Sequence, residues 1–360
     1  MSRKVLFVIL YVQSPGTTLG KSSETIKVIK SGAKPRRFSI RDIEGVIIST
    51  KVHVSYDALM LLSEYSIPVI YQKGHKILSY SVPYANHGFV LTRREQMNAY
   101  NDSRGGHIAQ RIVMGAIDNK IRLLKYTAKN RRSYKPQEAK YLVKVAGILE
   151  KKYKEAEQIQ IPRKSTFTKP SIPKPVEKIR NKLMGIEGSA AREYFHAFRT
   201  LFPKKFNFVG RNRRPPKDPI NSLLSFGYTL LQGPVLSGIA ICGLEPYAGF
   251  LHSDRSGKPS LILDLIEEFR QPVIDRVILR LIGSGEIKNT DFRKEGAFIK
   301  LSDIARYKYI NAIFKELETK VQKIDGKKLV LQQIIVHQAR KFVRYLQGRE
   351  SEYTTYCFNW

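Results

Sequence analysis

One stretch gathers an imidazole and several carboxylates: HSDRSGKPSLILDLIEEFRQPVID, running from His252 to Asp275. If residues 260–270 are helical, Leu261, Leu265 and Phe269 form an apolar stripe. Asp264, Glu267 and Glu268 then fall at i, i+3 and i+4 on one acidic face. Two chemistries suit such a face: ion pairing with nearby Lys and Arg, or collection of a divalent cation. The loop Ser256-Gly257-Lys258-Pro259 leaves room for His252 to fold back over the carboxylates. An imidazole beside carboxylates suits Mn²⁺, or Mg²⁺ with waters, and lacks the thiolates of a structural zinc site. The chain has seven histidines, so His252 alone is equally an ordinary core or surface residue.

A second island is LMGIEGSAAREYF, Leu183–Phe195, in which Gly185, Gly188, Ser189, Ala190 and Ala191 flank Glu187. Small neighbours permit close approach of another helix or of a ligand backbone. A carboxylate held in such a place needs a cation, whether metal or side chain. A cap at a helix start is the competing reading of Glu187. The third island, Lys204–Leu231, opens with a basic hook: Lys204, Lys205, Arg211, Arg213, Arg214 and Lys217, with Phe206 and Phe208 interleaved. It stops at Pro215-Pro216. Asp218 then reads as an N-cap with Pro219 at the first helical position. Guanidinium groups at a helix start suit phosphate contact and carry no base-reading code.

Positioning these residues requires a scaffold of two kinds. β-Branched runs at Val5–Val12, Thr25–Ile29, Phe38–Ile40, Val46–Ser49 and Val69–Tyr71, separated by turn residues, predict a small β-rich domain over residues 1–85. One helix interrupts it, over Tyr56–Leu62 with Ser55 as its cap. From about Thr92 the spacing of Ile108, Ile112, Ile117, Ile121 and Leu124 is helical, predicting an all-α domain over 92–360. The fold class is therefore α+β, a β-rich domain followed by a larger helical one.

Lys and Arg number 63 against 31 Asp and Glu, a net charge of +32, which directs the chain towards a polyanion. No run of about 18 apolar residues is evident, which argues against a membrane span. The apolar run near the N-terminus reads as a strand, with no small-residue cleavage site. Cys242 and Cys357 are too few for a disulfide framework and fit a reducing cytoplasm. Residues 119–182 hold 19 Lys or Arg against 5 Glu. Within them, RKSTFTKPSIPKPVEK reads as an extended loop, either a solvated connector or a DNA contact.

Glu187 in GIEGSAAREYF, the RNRRPPKDPINSLLSFGYTLL run, and His252 followed by GKPSLILDLIEEFR together resemble the signature blocks of the CRISPR adaptation integrase family, in order and spacing. IEGVIIST and SIPVIYQKG resemble its small N-terminal domain. The resemblance implies a divalent-metal site, Mn²⁺ or Mg²⁺, on Glu187, His252 and Glu267, with Asp264 as support or alternative ligand. It makes Arg192 and Tyr194 candidates for positioning phosphate or nucleophile, with packing the competing role for Tyr194. It further implies phosphodiester transesterification on double-stranded DNA, a homodimer formed through the β-rich domain, and a small ferredoxin-like adaptation partner. The sequence departs from the family in two places: the basic stretch 119–182 is longer than the family minimum, and the proline that usually follows Phe-Arg directly comes one position later, after Gln271. That extra residue is expected to shift the helix end slightly and leave the ligands untouched. A rival class, a non-catalytic basic DNA- or RNA-binding architectural protein, accounts for the charge but leaves the acidic constellation unexplained. A branched-DNA endonuclease is a third reading, with hydrolysis as the main activity.

Overall fold

The computed structural model describes residues 8–74, 76–84, 88–162, 174–212 and 215–359. The chain runs through β1 (Val8–Val12), β2 (Thr17–Ser22), β3 (Thr25–Ile29), β4 (Arg36–Ser39), β5 (Ile43–Ile48), β6 (Val52–Val54), α1 (Tyr56–Glu64), β7 (Val69–Lys73) and β8 (Lys76–Ser81). Helices follow: α2 (Phe89–Tyr100), α3 (Ser103–Arg131), α4 (Pro136–Glu157), α5 (Pro175–Arg199), α6 (Pro219–Leu230), α7 (Gln232–Ile241), α8 (Ser260–Leu265) and α9 (Arg276–Gly283). The hairpin β9 (Phe292–Glu295) and β10 (Phe298–Leu301), α10 (Asp303–Thr319), the hairpin β11 (Val321–Ile324) and β12 (Lys327–Val330), and α11 (Leu331–Leu346) complete it. A β-rich N-terminal region followed by a mostly helical one is the expected class. The two charged hairpins correct the expectation of a wholly helical second domain.

The chain divides into two compact units that do not meet at a single cut near residues 85–92. One comprises residues 1–96, 229–246 and 332–349; the other comprises 97–228, 247–331 and 350–360.

In the first unit, β1, β5 and β7 pair in parallel and β8 closes the sheet antiparallel, in the order β1-β5-β7-β8. A second sheet has the order β4-β3-β2-β6. Strand β5, IEGVII, is apolar along most of its length because a parallel strand is covered on both faces. Helix α7 packs on β5 and β7, and Gly45 makes that approach possible: a Cβ there would lie 2.6 Å from Ser237 Oγ. Leu19, Ile26, Ile40, Val46, Leu61 and Val69 belong to the core of this unit. Ser55 caps α1 as expected, its hydroxyl accepting from Ala58 N at 3.2 Å. Strands β2, β6 and β8 were not foreseen. Residues Val5–Phe7 of the first expected strand lie outside the described residues.

In the second unit, α3 packs against both α4 and α5, and all five of its spaced apolar residues, Ile108 to Leu124, are buried. The segment read as an extended loop lies outside the described residues over 163–173. Its last residues are helical: Pro175 opens α5, and Lys174 N donates to Glu177 Oε2 at 2.8 Å.

Pro219–Ile241 corrects the expectation of no span-length apolar run, being long and apolar enough by length and composition to cross a bilayer. Most of it is buried inside the protein, which accounts for its composition.

Candidate functional site

Glu187 lies in the middle of α5, not at a helix start as the capping reading requires. Lys120 reaches it from α3, with Nζ 3.1 Å from Glu187 Oε1, and the lysine side chain is only 3 % exposed. A lysine this deeply buried needs a carboxylate, so the pair fixes both side chains. Gly185 and Gly188 do not seat another helix: a Cβ at either would meet nothing within 4 Å. They leave space beside Glu187 instead. A groove of about 460 Å³ occupies this side, lined by Glu187, Gly188, Arg192 and His196 of α5 and by Gly210, Arg211 and Asn212 of the basic loop.

The expected single acidic face is not formed. α8 tightens after Leu265 into a 3₁₀ turn, Ile266–Glu268, and then widens into a π-helical turn, Arg270–Asp275, so the 100° step between residues is not maintained. The three carboxylates consequently go to three different partners. Glu267 Oε1 pairs with the Arg270 guanidinium at 2.9 Å. Glu268 turns inward, accepting from Tyr353 Oη and from Tyr356 N at 2.7 Å. Asp264, fully buried, faces the loop before His252.

Asp264 organises that loop. Its Oδ2 accepts from Phe250 N at 2.6 Å and Leu251 N at 3.0 Å, and its Oδ1 from His252 N at 2.9 Å. His252 Nδ1 lies 2.7 Å from the same Oδ1. Because the carboxylate accepts, Nδ1 is the protonated nitrogen of the neutral ring, the tautomer in which Nε2 has the lone pair. With both oxygens so engaged, Asp264 holds residues 250–252 against α8. Gly249 lets the loop approach, since a Cβ there would sit 2.7 Å from Ser260 and 2.9 Å from Asp264 Oδ2. Arg180, two turns before Glu187 on α5, ties the loop to that helix by donating twice to the Phe250 carbonyl, at 3.2 and 3.1 Å.

Behind these groups lies a buried polar network that the sequence reading did not find. Asp275 accepts from Tyr194 Oη and from Tyr228 Oη, each at 2.6 Å. Burial raises the Asp275 carboxyl above its ordinary range, against the two phenol hydrogen bonds and the charges of Lys120 and Arg270. Burial also pushes both phenols well above theirs. Tyr194, fully buried, packs and positions and does not face the groove. Arg270 stacks 4.6 Å from the Tyr228 ring centroid. Burial opposes the Arg270 charge, but Glu267, Tyr228 and Glu187 in turn hold its guanidinium above the usual range, so both glutamates act on one cation. Arg270 Nε is buried without a hydrogen-bond partner.

The basic loop is clamped as well as charged. Asp218 caps α6, its Oδ1 accepting from Asn221 N at 2.8 Å. Asn221 then holds the loop, donating to the Gly210 carbonyl at 2.8 Å and accepting from Arg211 Nη1 at 2.9 Å. Lys204, Lys205 and Lys217 are exposed, as is Arg192, while Phe206 and Phe208 are buried and offer no stacking surface. Arg213 and Arg214 lie outside the described residues.

Two carboxylates and an imidazole with a free Nε2 are the right donors for a hard divalent cation. Among the described residues, however, no three His, Cys, Asp or Glu side chains are gathered so as to hold one. Glu187 and Glu267 are closed on Lys120 and Arg270 instead.

The family model for CRISPR associated protein Cas1 matches residues 10–315. A CRISPR-associated endonuclease Cas1 of Archaeoglobus fulgidus is 32% identical over 357 residues, covering 98% of this chain and 99% of its own. Among solved structures, a CAS1 protein from Thermotoga maritima superposes with a TM-score of 0.69 at 25% identity, covering 98% of this chain and 100% of its own. A casposase bound to its integration product shares the fold, with a TM-score of 0.69 at 23% identity over 96% of this chain and 92% of its own.

Proposed function

Because the chain belongs to the CRISPR-associated Cas1 family of spacer-acquisition nucleases, we propose that it joins captured double-stranded DNA to a CRISPR repeat by transesterification at a site built on Glu187, His252 and Glu267. The observation that carries this reading is the 2.7 Å contact of His252 Nδ1 with Asp264 Oδ1, which favours the tautomer whose Nε2 is the lone-pair donor a metal needs. Glu187 and Glu267 would hold that divalent ion, Mn²⁺ or Mg²⁺, with His252. When bound, that ion supplies Lewis acidity at the scissile phosphate.

The chain's own residues do the rest. Lys120 and Arg270 balance the two glutamates and would stand as positive groups beside the phosphate. Arg192 and the loop cations Lys204, Lys205, Arg211, Arg213, Arg214 and Lys217 hold backbone phosphates, so that the scissile bond is presented in line. A DNA 3′-hydroxyl oxygen attacks phosphorus while the bond to the leaving 3′-oxygen breaks, and the hydroxyl proton is passed through solvent to the leaving alcohol. Water in place of the hydroxyl gives cleavage. The casposase of like fold, captured with its integration product, supports joining as the main reaction. The same reading includes a homodimer through the β-rich unit, a small ferredoxin-like adaptation partner, and a cytoplasmic location in keeping with two free thiols.

The test incubates the protein and its adaptation partner with a labelled duplex bearing free 3′-hydroxyls and a supercoiled repeat plasmid, in Mn²⁺ or chelator. A joined product longer than either input is expected in Mn²⁺ alone, lost in Glu187→Ala and His252→Ala while DNA binding persists. Binding lost in step with joining, or unaltered DNA in every arm, would return the protein to the architectural class.

A further inference from the structure

The basic stretch 119–182 takes little part in this chemistry beyond Lys120 and Arg180, yet the structure gives it a shape. It folds largely as the helical hairpin of α3 and α4. Two cavities, of about 1080 and 530 Å³, follow the seam between the helices and share Lys125. Lys129 on α3 and Arg132 just beyond its end, with Lys140, Lys144, Lys151 and Lys154 on α4, line this seam. All six are exposed, and none pairs with a carboxylate among the described residues. Two of the acids here are already used: Asp118 holds Arg122 at 2.8 Å and Glu150 holds Lys125 at 2.5 Å. The third, Glu157, stands at the far end of α4. The floor is open at Gly147, where a Cβ would meet nothing within 4 Å.

The spacing has a direction. Lys140, Lys144, Lys151 and Lys154 recur at intervals of four, seven and three, one stripe that runs about 21 Å along α4. One strand of duplex DNA carries about six phosphates over that length. On α3, Lys125 and Lys129 stand about 140° and 180° around the helix axis from Lys120, which faces Glu187. The seam therefore looks away from the groove beside Glu187.

We propose that the α3–α4 seam is a second DNA-binding surface, which grips the phosphate backbone of a duplex away from the reacting strand and without reading bases. Such a surface works through counterion release, so its signature is the salt dependence of binding. The experiment measures affinity for a blunt duplex against salt concentration, in chelator, with the full chain. Wild type is compared with a quadruple variant, Lys140→Gln, Lys144→Gln, Lys151→Gln and Lys154→Gln, and with the double variant Lys129→Gln, Arg132→Gln. A control removes four exposed lysines elsewhere: Lys308→Gln, Lys315→Gln, Lys323→Gln and Lys327→Gln.

The quadruple variant is expected to lower the log–log slope by about 3 to 4, and the double variant by about 2, against less than about 1 for the control. At physiological salt the quadruple variant should bind more than about tenfold more weakly. A quadruple variant that matches the control overturns the proposal. So does one that keeps its DNA affinity but no longer retains polyglutamate, which would make the seam a docking site for an acidic protein. Binding in chelator needs no metal chemistry, so failure here is distinct from failure of the joining reaction.

Discussion

Asp264→Asn separates a supporting carboxylate from a ligand. The carboxylate accepts four hydrogen bonds, three from the amides of residues 250–252 and one from the His252 ring. An Asn offers one acceptor oxygen, and its amide group must face two N–H donors wherever the oxygen is placed. Two hydrogen bonds to a charged acceptor are therefore lost, at about 1.5–3 kcal/mol each, or about 3–6 kcal/mol of stability. If the oxygen stays with Phe250 and Leu251, the amide faces Nδ1, which must now accept. The proton then moves to Nε2 and removes the ligand lone pair. Mn²⁺ affinity, read by electron paramagnetic resonance titration, should fall about 10- to 100-fold. Nitrogen chemical shifts of His252 should report the tautomer change without any turnover. An Asp264→Asn protein that binds Mn²⁺ as wild type does, and unfolds within about 1 kcal/mol of it, would refute the assigned tautomer and the supporting role together.

Three further outcomes follow from the same structure. Asn119→Ala should cost about 2–4 kcal/mol in urea unfolding, because the buried amide donates to the carbonyls of Glu268 and Tyr356 and accepts from Phe358 N. Asp275→Asn should alter pH dependence: the folded carboxyl titrates above its unfolded value, so its contribution is complete below the unfolded value and is lost as pH rises through the folded one. The stability of wild type relative to Asp275→Asn should accordingly decline from about pH 4 upwards. Gly249→Ala should push the 249–252 loop off α8 and reduce DNA joining, with Ser260 and Asp264 under 3 Å from the added carbon; joining at the wild-type rate would show that the loop can shift without consequence.

Much of the scaffold could be read from the chain because its signals are local. Ser55 and Asp218 announce helix starts within three residues of the amides they cap. The strand β2 was missed because TTLGKS is mostly polar, β6 because VHV is only three residues long, and the hairpins over 292–301 and 321–330 because each strand of four mixes Lys or Arg with its apolar residues. The site was legible in part. Glu187, His252, Asp264 and Glu267 carry motif neighbours, and the link between His252 and Asp264 is short enough in sequence for the loop to suggest it. The partners that fix them are remote: Lys120 is 67 residues from Glu187, and Tyr353 is 85 from Glu268. No periodicity connects residues so far apart, and only packing assigns them. Glu268 was grouped with the wrong face because a straight α-helix was assumed where the backbone passes from α through 3₁₀ to π geometry.

The π-helical turn has a consequence for how the chain tolerates change in length. Gln271 separates Phe269-Arg270 from Pro272, and the turn that carries it is the widened one. A helix that gains one residue must either rotate everything beyond it by about 100° or bulge locally. Here the widened turn carries Gln271, and α9 follows from Arg276 with Asp275 bonded to Tyr194 and Tyr228. The wider ring makes this turn the place in the run where a change of one residue disturbs its neighbours least.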